Sequence, residues 1–214
     1  MELLYRDDQL LVCLKPAGVL SEDRGAECMP ALLRAEVGGY IGVVHRLDRP
    51  VGGVMVFSRD PHVTGKLTQS FTQTGEKTYL AAVSGDPGDG GVYEDLLYHD
   101  PRTNKTFVVR RMRAGVREAR LRFETIGTEK QQEQTLSLVC VTLETGRTHQ
   151  IRTQFASRGM PIVGDRRYGS RVPADGIALW SAQITFDHPA DGRRMTFSEA
   201  PPEGFPLRAL LEKK

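Results

Sequence analysis

The sequence predicts an α+β protein with a largely antiparallel, mixed sheet core and flanking helices. Strand-like segments outnumber helical ones along its 214 residues, and they follow one another instead of alternating strictly with helices. No fixed-period repeat interrupts this pattern, and glycine and proline clusters separate the segments. A chain of this length buries roughly 70% of its unfolded surface, so it can build a substantial core without disulfides or metals.

Local sequence patterns predict each element in the first third of the chain. Short apolar, β-rich runs that end at turn residues predict strands, and helical spacing with a proline in the first turn predicts helices. A turn rich in proline and glycine is expected over residues 50–53. The predicted strands are residues 10–14, 40–44 and 54–58, and the predicted helices are residues 29–36 and 61–71.

The rest of the chain continues the β character. The glycine cluster 85–91 is expected to be a hairpin or loop inside one domain, so residues 1–214 are predicted to form a single domain. A loop is expected to enter a helix between residues 146 and 157, and the tail from Glu199 is expected to be peripheral. The predicted strands are residues 77–84, 107–111, 119–126, 135–144 and 184–186.

Composition excludes several classes of protein. The apolar runs are only a few residues long, so a transmembrane helix is excluded and no membrane partner is expected. Residues 1–8 contain no basic segment followed by an apolar stretch, so no secretory signal is expected. Three widely spaced cysteines indicate reduced thiols and not a disulfide framework. We therefore expect a cytoplasmic protein.

The small net charge of +2 conceals a strong asymmetry along the chain. Residues 1–99 hold 9 basic and 14 acidic residues, whereas residues 100–214 hold 20 and 13. Two stretches concentrate the positive charge, 102–122 with Glu118 as its one acid and 147–171 with Asp165 as its one acid. Such stretches are typical of a surface that binds a polyanion, although solvated strand or helix faces explain them equally well.

Signatures of cofactor binding are absent from the sequence. No G-x-G-x-x-G pattern follows a predicted strand, and Gly65-Lys66 lacks the upstream glycine of a phosphate loop because Asp60 stands there. The five histidines are scattered, without cysteine partners at zinc spacing. No metal and no cofactor are therefore expected.

One carboxylate has neighbours that suit catalysis. Asp48 follows a predicted strand, is flanked by Arg46 and Arg49, and precedes a glycine-rich turn that allows close backbone approach. A carboxylate beside guanidinium groups stays ionised, which suits a nucleophile or electrostatic partner better than an acid. Locally, a structural role as a turn cap paired with arginine explains Asp48 as well.

Two further segments are ambiguous when taken alone. If a helix starts at Thr148, Arg152 lies one turn further along and can point inward with its apolar neighbours, where it needs a carboxylate partner. The same segment also reads as an ordinary amphipathic helix with a threonine cap. Tyr79, within Lys77-Thr78-Tyr79, could equally be a core aromatic residue.

Taken together, three separated blocks closely resemble the RluA-type family of RNA pseudouridine synthases. The block G-V-V-H-R-L-D-R-P-V-G-G-V over 42–54 is similar to the family pattern H-R-L-D-x-x-T-S-G. The other two blocks are E-K-T-Y-L-A-A-V-S-G over 76–85 and G-R-T-H-Q-I-R over 146–152, continued over 158–169. Residues 11–18 and 186–189 also fit, so the resemblance covers most of residues 5–206.

This resemblance implies a pseudouridine synthase catalytic fold that isomerises a specific uridine in structured ribosomal or transfer RNA. It implies no cofactor, no metal and no separate N-terminal RNA-binding module, and we expect a monomer. By this resemblance Asp48 is the catalytic aspartate, Tyr79 packs against the target base, and Arg152 holds the carboxylate of Asp48. Arg46 would fill the space that the flipped nucleotide leaves. Further expected RNA contacts are His45, Arg147, His149, Arg110, Arg111 and Arg113.

The chain departs from the family pattern at two places beside the expected site. Val51-Gly52 replaces Thr-Ser, and Gln154 stands where the family often has histidine. An alternative function is therefore an RNA-binding module of the same fold whose chemistry is impaired. A nucleoside glycosidase is a further alternative, but it would need a second carboxylate that the matching blocks do not contain.

Overall fold

The computed structural model describes residues 2–131 and 134–213. Within those ranges a mixed sheet combines with short helices, as the sequence predicts. The helices are α1 (Met29–Val37), α2 (Pro61–Gln73) and α3 (Gln150–Ala156). The strands are β1 (Leu3–Arg6), β2 (Leu10–Lys15), β3 (Gly42–Val43), β4 (Gly52–Ser58), β5 (Glu76–Ser84), β6 (Gly90–Asp100), β7 (Lys105–Val109), β8 (Val116–Gln131), β9 (Gln134–Leu143), β10 (Leu179–Asp187) and β11 (Arg194–Ser198).

The residues group into two compact units by their internal contacts. Unit 1 comprises Met1–Lys77 and Trp180–Ala200, and unit 2 comprises Thr78–Leu179 and Pro201–Lys214. The chain thus leaves unit 1 after α2 and returns to it with β10. The expectation of a single catalytic domain stays a prediction.

Unit 1 contains a sheet in the order β1-β2-β4-β10, with β3 paired to β4 and β11 paired to β10. All its pairings are antiparallel except β4 with β10, which is parallel. Central β4 is buried along its whole length, which explains its near-continuous apolar sequence. A core of aliphatic side chains from β2 and β4 packs with Leu67 and Phe71 of α2 and Phe186 of β10.

Local sequence accounts for the start of α2. Pro61 occupies the first turn, where its missing N–H leaves no hydrogen bond unmade, and Asp60 caps the helix by accepting a hydrogen bond from the His62 N–H at 2.8 Å. Leu67 and Phe71, one turn apart, are the buried residues of the helix. The helix therefore covers the unit 1 core with a single narrow stripe.

Unit 2 contains an antiparallel sheet in the order β5-β9-β8-β6-β7. Helix α3 packs on it through Phe155, whose ring contacts Tyr93 of β6 and Phe123 of β8 at centroid distances of 5.1 and 5.3 Å. Buried apolar residues of β5, β8 and β9 supply much of the remaining core.

The structure differs from the sequence-based expectations at several places. Strands β1, β6 and β11 were not predicted, β3 is shorter than the predicted 40–44, and β7 ends at Val109, before the predicted residue 111. Gly52 and Gly53 lie inside β4 and not in a turn, because glycine is needed there for close packing. Helix α3 begins at Gln150 and not at Thr148. The tail is not peripheral, because apolar side chains of residues 205–210 are buried and Leu210 packs against Gly127 of β8.

Candidate functional site

Asp48 lies in a turn of unit 1 that is fixed from both sides. The Ser21 hydroxyl donates to the Leu47 carbonyl at 2.7 Å and accepts from the Leu47 N–H at 3.0 Å, and all these atoms are buried. The Val51 N–H donates to the Asp48 carbonyl at 2.9 Å and closes the turn. The Asp48 side chain is half-buried. The backbone that carries this carboxylate is therefore held in one conformation.

Lys15 is the unexpected residue of this site. Its side chain is 0% exposed, and its ammonium group donates to the carbonyls of Pro16 at 2.9 Å and Arg49 at 3.1 Å. Burial lowers the pKa of Lys15 to about 8, and the negative charge of Asp48 opposes that shift. A buried cation thus binds the carbonyl of Arg49, the residue that follows Asp48.

The two arginines beside Asp48 bind other groups. Arg46 forms an ion pair with Glu22 and remains more than half exposed. Arg49 donates from Nε to the Gly18 carbonyl at 2.8 Å, and the Gly18 N–H donates to the Arg49 carbonyl at 2.8 Å. The two hydrogen bonds join the turn that follows β2 to the Asp48 turn.

His45 packs inside unit 1. Its Nε2 accepts a hydrogen bond from the Val56 N–H at 3.1 Å, and its ring stacks on Phe71 with centroids 4.3 Å apart. Burial, together with the charge of Lys77, lowers the pKa of His45 to about 3. The ring is therefore neutral near pH 7, and direct RNA contact by His45 stays a prediction that this geometry does not favour.

The departure from the family pattern at Gly52 has a structural cause. Gly52 pairs with Trp180 across β4 and β10, and a Cβ atom at position 52 would lie 2.6 Å from the Trp180 ring. At the next position, Gly53 has φ +123°, and a Cβ atom would lie 2.3 Å from the Ser181 carbonyl oxygen. The Trp180 ring therefore occupies the space that a side chain at position 52 would take.

In unit 2, Arg152 is held by a buried carboxylate. Its Nε and Nη2 donate to Asp165 Oδ2 and Oδ1 at 2.7 and 3.0 Å, and the two side chains are 4% and 1% exposed. The segment before Asp165 reaches this position only because Gly164 has φ +78°, with the Gly176 carbonyl oxygen 1.8 Å from where a Cβ would lie. The guanidinium orientation is therefore fixed by unit 2 itself.

Tyr168 connects three parts of the Arg152 surroundings. Its ring centre lies 5.0 Å from the Arg152 guanidinium, and its hydroxyl accepts from the Thr106 N–H at 2.8 Å. The same hydroxyl is hydrogen-bonded to His149 Nδ1 at 2.9 Å. His149 itself adopts φ +54° as the residue that caps α3, where the sequence predicts Thr148.

The other expected site residues of unit 2 lie on different elements. Tyr79 is 6% exposed on β5, opposite Val141, and Arg147 donates from Nε to the Glu118 carbonyl at 2.8 Å. Gln154 is buried, and its amide nitrogen donates to Asp95 at 2.7 Å and to the Tyr93 carbonyl at 3.1 Å. Hydrogen bonds thus accommodate glutamine at this position. The remaining three, Arg110, Arg111 and Arg113, lie in the loop between β7 and β8.

The structure therefore distributes the expected residues over both units. His45, Arg46 and Asp48 share one segment of unit 1, while Tyr79 and Arg152 belong to unit 2. The pairing of Asp48 with Arg152 stays a prediction. Sequence reasoning overlooked Lys15, Asp165 and Tyr168 as site residues. Asp165 and Tyr168 lie in the continuation of the third matching block and Lys15 lies in the matching segment 11–18, so their charged or polar side chains could have drawn attention.

Two general observations complete the description of the site. Across residues 2–131 and 134–213, no three His, Cys, Asp or Glu side chains are grouped so that they could hold a metal ion. No helix within the described part of the chain has the length and apolar character needed to cross a membrane.

Comparison with known proteins gives consistent results. The profile described as RNA pseudouridylate synthase matches residues 9–157. The chain is 30% identical to an uncharacterized RNA pseudouridine synthase of Aquifex aeolicus, over 96% of this chain and 71% of that protein. It is 30% identical to ribosomal large subunit pseudouridine synthase D of Pseudomonas aeruginosa, over 96% and 69% of the two chains. It is 28% identical to tRNA pseudouridine synthase C of Haemophilus ducreyi, over 92% and 90%.

Two solved human structures share the fold. Human RNA pseudouridylate synthase domain containing 4 aligns with a TM-score of 0.77 at 21% identity, over 98% of this chain and 92% of that one. Human RNA pseudouridylate synthase domain containing 1 aligns with a TM-score of 0.78 at 20% identity, over 94% and 83%. The α+β fold predicted from the sequence is confirmed.

Proposed function

The chain belongs to the RluA-type family of RNA pseudouridylate synthases, and on this premise we propose that it isomerises one specific uridine in structured ribosomal or transfer RNA with Asp48 as its catalytic residue. The observation that carries this proposal is that H-R-L-D and G-R-T-H-Q-I-R both lie within the matched residues 9–157. The relatives named for ribosomal and for transfer RNA support either class of substrate.

The reaction rearranges bonds within one nucleotide. The C1′–N1 glycosidic bond breaks, the uracil turns in the pocket, and a C1′–C5 bond forms. The proton on C5 is lost and N1 gains one, so the product is an isomer and no electrons are exchanged with a second molecule. Asp48 acts on the sugar, either as a nucleophile at C1′ or as a base on the 2′ proton. Both routes require an ionised and firmly positioned carboxylate.

The surroundings of Asp48 in unit 1 support this role. The turn that carries it is hydrogen-bonded through Ser21 and Val51, so little ordering remains to be done when substrate binds. The buried Lys15 ammonium adds a positive charge whose field acts on Asp48. A nearby cation favours the ionised form of a carboxylate.

Arg152 is proposed to orient the Asp48 carboxylate through the guanidinium nitrogen that does not face Asp165. The support is that Arg152 Nε and Nη2 are already fixed by Asp165, so the group is oriented before substrate arrives. Such preorganised charges act without reorganisation during the reaction, which is the condition for effective electrostatic catalysis.

The target nucleotide must leave the base stack before Asp48 can reach its sugar. Unstacking costs a few kcal/mol, and we propose that Tyr79 and Arg46 offset it. Stacking of a base on an aromatic ring contributes about 1–3 kcal/mol, which is enough for Tyr79 to recover much of that cost. The Arg46 side chain is more than half exposed, and its ion-pair partner among the described residues is Glu22. A surface ion pair contributes little free energy, so Arg46 can leave Glu22 and fill the gap in the RNA.

The enzyme is proposed to work as a cytoplasmic monomer without a metal or cofactor. Its RNA contacts include Arg147, His149 and the three arginines of the β7–β8 loop. Phosphate contacts of this kind position the RNA without selecting its sequence. The target uridine is therefore chosen by the shape of the RNA around it.

Tritium release from RNA labelled at C5 of uridine tests the proposal directly. The purified protein should release tritium from cellular RNA, and mapping of pseudouridine with and without the gene should show one site that depends on it. RNA binding without release would instead support the alternative of a binding module. Release of free uracil would support a nucleoside glycosidase.

A further inference from the structure

The basic residues of the stretch 102–122 fall into two groups by their contacts. Arg120 lies 3.2 Å from Glu94 and 3.1 Å from Glu144, and Arg122 lies 3.0 Å from Glu144. The other basic residues of this stretch form no ion pair with any residue that the structure describes; they are Arg102, Lys105, Arg110, Arg111, Arg113 and Arg117. Apart from Arg117 at the start of β8, this uncompensated positive charge lies on β7 and the connections at its two ends.

Exposed apolar side chains occur in the same short segment. Phe107 is 42%, Val108 37% and Met112 56% exposed. A single exposed apolar residue is ordinary, but several of them among uncompensated arginines call for a partner. That partner must present both negative charges and flat apolar surfaces. A nucleic-acid strand with unstacked bases has both.

The segment is held in place at the start of β8. Phe107 pairs with Tyr98 across β6 and β7, so the two rings lie on the same face of the sheet. The guanidinium of Arg113 lies 5.1 Å from the centre of the Tyr98 ring. Gly115, at φ +82°, lets the loop turn tightly, and the Val116 N–H donates to the Arg113 carbonyl at 3.0 Å.

The segment is also held at the start of β7. Arg167 donates from Nη1 to the carbonyls of Thr103 at 2.8 Å and Asn104 at 3.0 Å. The Lys105 ammonium lies 5.6 Å from the Phe107 ring centre. Because both ends of β7 are fixed, binding a partner here orders few additional groups and loses little entropy.

We propose that Phe107, Met112 and the arginines at 110, 111 and 113, together called the β7 surface, bind an unpaired stretch of the substrate RNA. This assignment rests on the proposed function and specifies the substrate, which must carry an unpaired stretch of nucleotides. One base stacks on Phe107, Met112 adds a second apolar contact, and the arginines bind the flanking phosphates.

Paired RNA suits the β7 surface less well. In an A-form helix the base faces are stacked and hidden, and only 2′-hydroxyls, phosphates and base edges are accessible. Phe107 would then gain nothing from the duplex. An anionic membrane would also attract the arginines, but stable attachment to a membrane needs a broad apolar face such as that of an amphipathic helix. The β7 surface has one aromatic ring and one methionine.

Binding of two RNA probes to the full-length protein tests this assignment. The probes are a 12-nucleotide oligouridine and a fully paired RNA hairpin of about equal charge. Phe107→Ala should weaken oligouridine binding by about 5- to 150-fold, the range that the loss of one stacked base gives. Hairpin binding should change less than about twofold. Phe107→Trp should bind oligouridine as the wild type does, whereas Phe107→Leu should behave like Phe107→Ala, which separates stacking from apolar burial.

The arginines are tested by the dependence of binding on salt. Replacing Arg110 and Arg111 by glutamine should reduce the slope of log K against log salt for oligouridine by about 1.4, or about 0.7 for each lost phosphate contact. Matched controls are Arg6→Gln, an exposed arginine of β1, and Val92→Ala, a valine of β6 that is 45% exposed. Both should leave oligouridine binding unchanged.

Some outcomes would overturn the assignment while leaving the proposed function intact. The first is a Phe107→Ala variant that binds oligouridine with wild-type affinity and releases tritium normally. The second is that the substitutions in the β7 surface weaken binding to vesicles of phosphatidylserine and phosphatidylcholine but leave oligouridine binding unchanged. Failure of the wild type to form pseudouridine in any RNA would instead refute the proposed function. The oligouridine measurements would still decide the role of the β7 surface in that case.

Discussion

Arg152 and Asp165 form a bidentate ion pair inside unit 2, with N–O distances of 2.7 and 3.0 Å and both side chains at most 4% exposed. The ring of Tyr168 lies beside the same guanidinium at 5.0 Å. Taking two charges out of water is costly, so the pair stabilises the fold only while both partners are present. Burying the pair costs desolvation free energy, and in return the pair fixes the orientation of the Arg152 guanidinium.

Removing one partner of this pair should be strongly destabilising. We expect Asp165→Ala to lower the free energy of unfolding by about 3–5 kcal/mol, because the buried Arg152 guanidinium would lose the carboxylate that binds its Nε and Nη2. Chemical denaturation measures this loss. The exposed pair between Arg208 and Glu212 provides the control, since Glu212→Ala should cost less than about 1 kcal/mol. Equal losses in the two variants would contradict the account of the buried pair.

The conservative change Asp165→Asn separates orientation from folding. It keeps the size of the side chain but weakens one hydrogen bond and removes the charge. We expect kcat on RNA to fall at least tenfold while KM changes less than threefold, because Arg152 loses its orientation and the RNA surface is unaltered. A proportional rise in KM with constant kcat would show that Asp165 acts on binding.

Gly52 and Trp180 should be coupled. We expect Gly52→Ser to cost about 1–3 kcal/mol in unfolding free energy, because its Cβ would lie 2.6 Å from the Trp180 ring. In a Trp180→Leu background the same change should cost at least 1 kcal/mol less, and a double-mutant cycle measures that difference. Gly65→Ser is the control, since a Cβ at that position of α2 would meet no atom within 4 Å beyond the neighbouring backbone of its own helix. Additive effects of the two substitutions would refute the coupling.

Lys15 should make stability depend on pH in the alkaline range. Its pKa is about 8 in the folded protein and near 10.5 in the unfolded chain, so between these values the unfolded state binds more protons. The contribution of Lys15 to the free energy of unfolding should therefore rise by about 3 kcal/mol from pH 8 to pH 10.5. Lys15→Met should lack this rise. A stability difference between wild type and Lys15→Met that stays constant with pH would contradict the burial of a charged Lys15.

The sequence predicted the sheet well because apolar alternation and turn residues act locally. β2, β4, β5, β8 and β10 include the whole of their predicted strands, β9 includes all of its predicted strand except residue 144, and α1 and α2 begin at predicted residues. Gly52 and Gly53 were wrongly placed in a turn, since glycine marks both turns and sites of close packing, and only Trp180 and Ser181 decide between them. The start of α3 was missed by two residues because His149 adopts a left-handed conformation as its cap.

The sequence motifs predicted which residues belong to the site, but not which partners hold them or how deeply they are buried. Arg152 was expected to need a carboxylate, but the choice of Asp165 depends on the tight approach of Gly164 to Gly176, which has no local signal. Lys15 resembles any lysine before a turn until its 0% exposure is known. Tertiary packing, and not residue type, distinguishes such buried charged groups from surface ones.

Single-turnover tritium release from C5-labelled RNA by Asp48→Asn tests the central claim most directly. Asparagine keeps the shape of the side chain but cannot attack the sugar or remove its proton, so the account predicts release no faster than in buffer, with RNA affinity within about threefold of wild type. Asp8→Asn, an exposed aspartate of the same unit, should release tritium at the wild-type rate. Turnover by Asp48→Asn at the rate of Asp8→Asn would contradict the account.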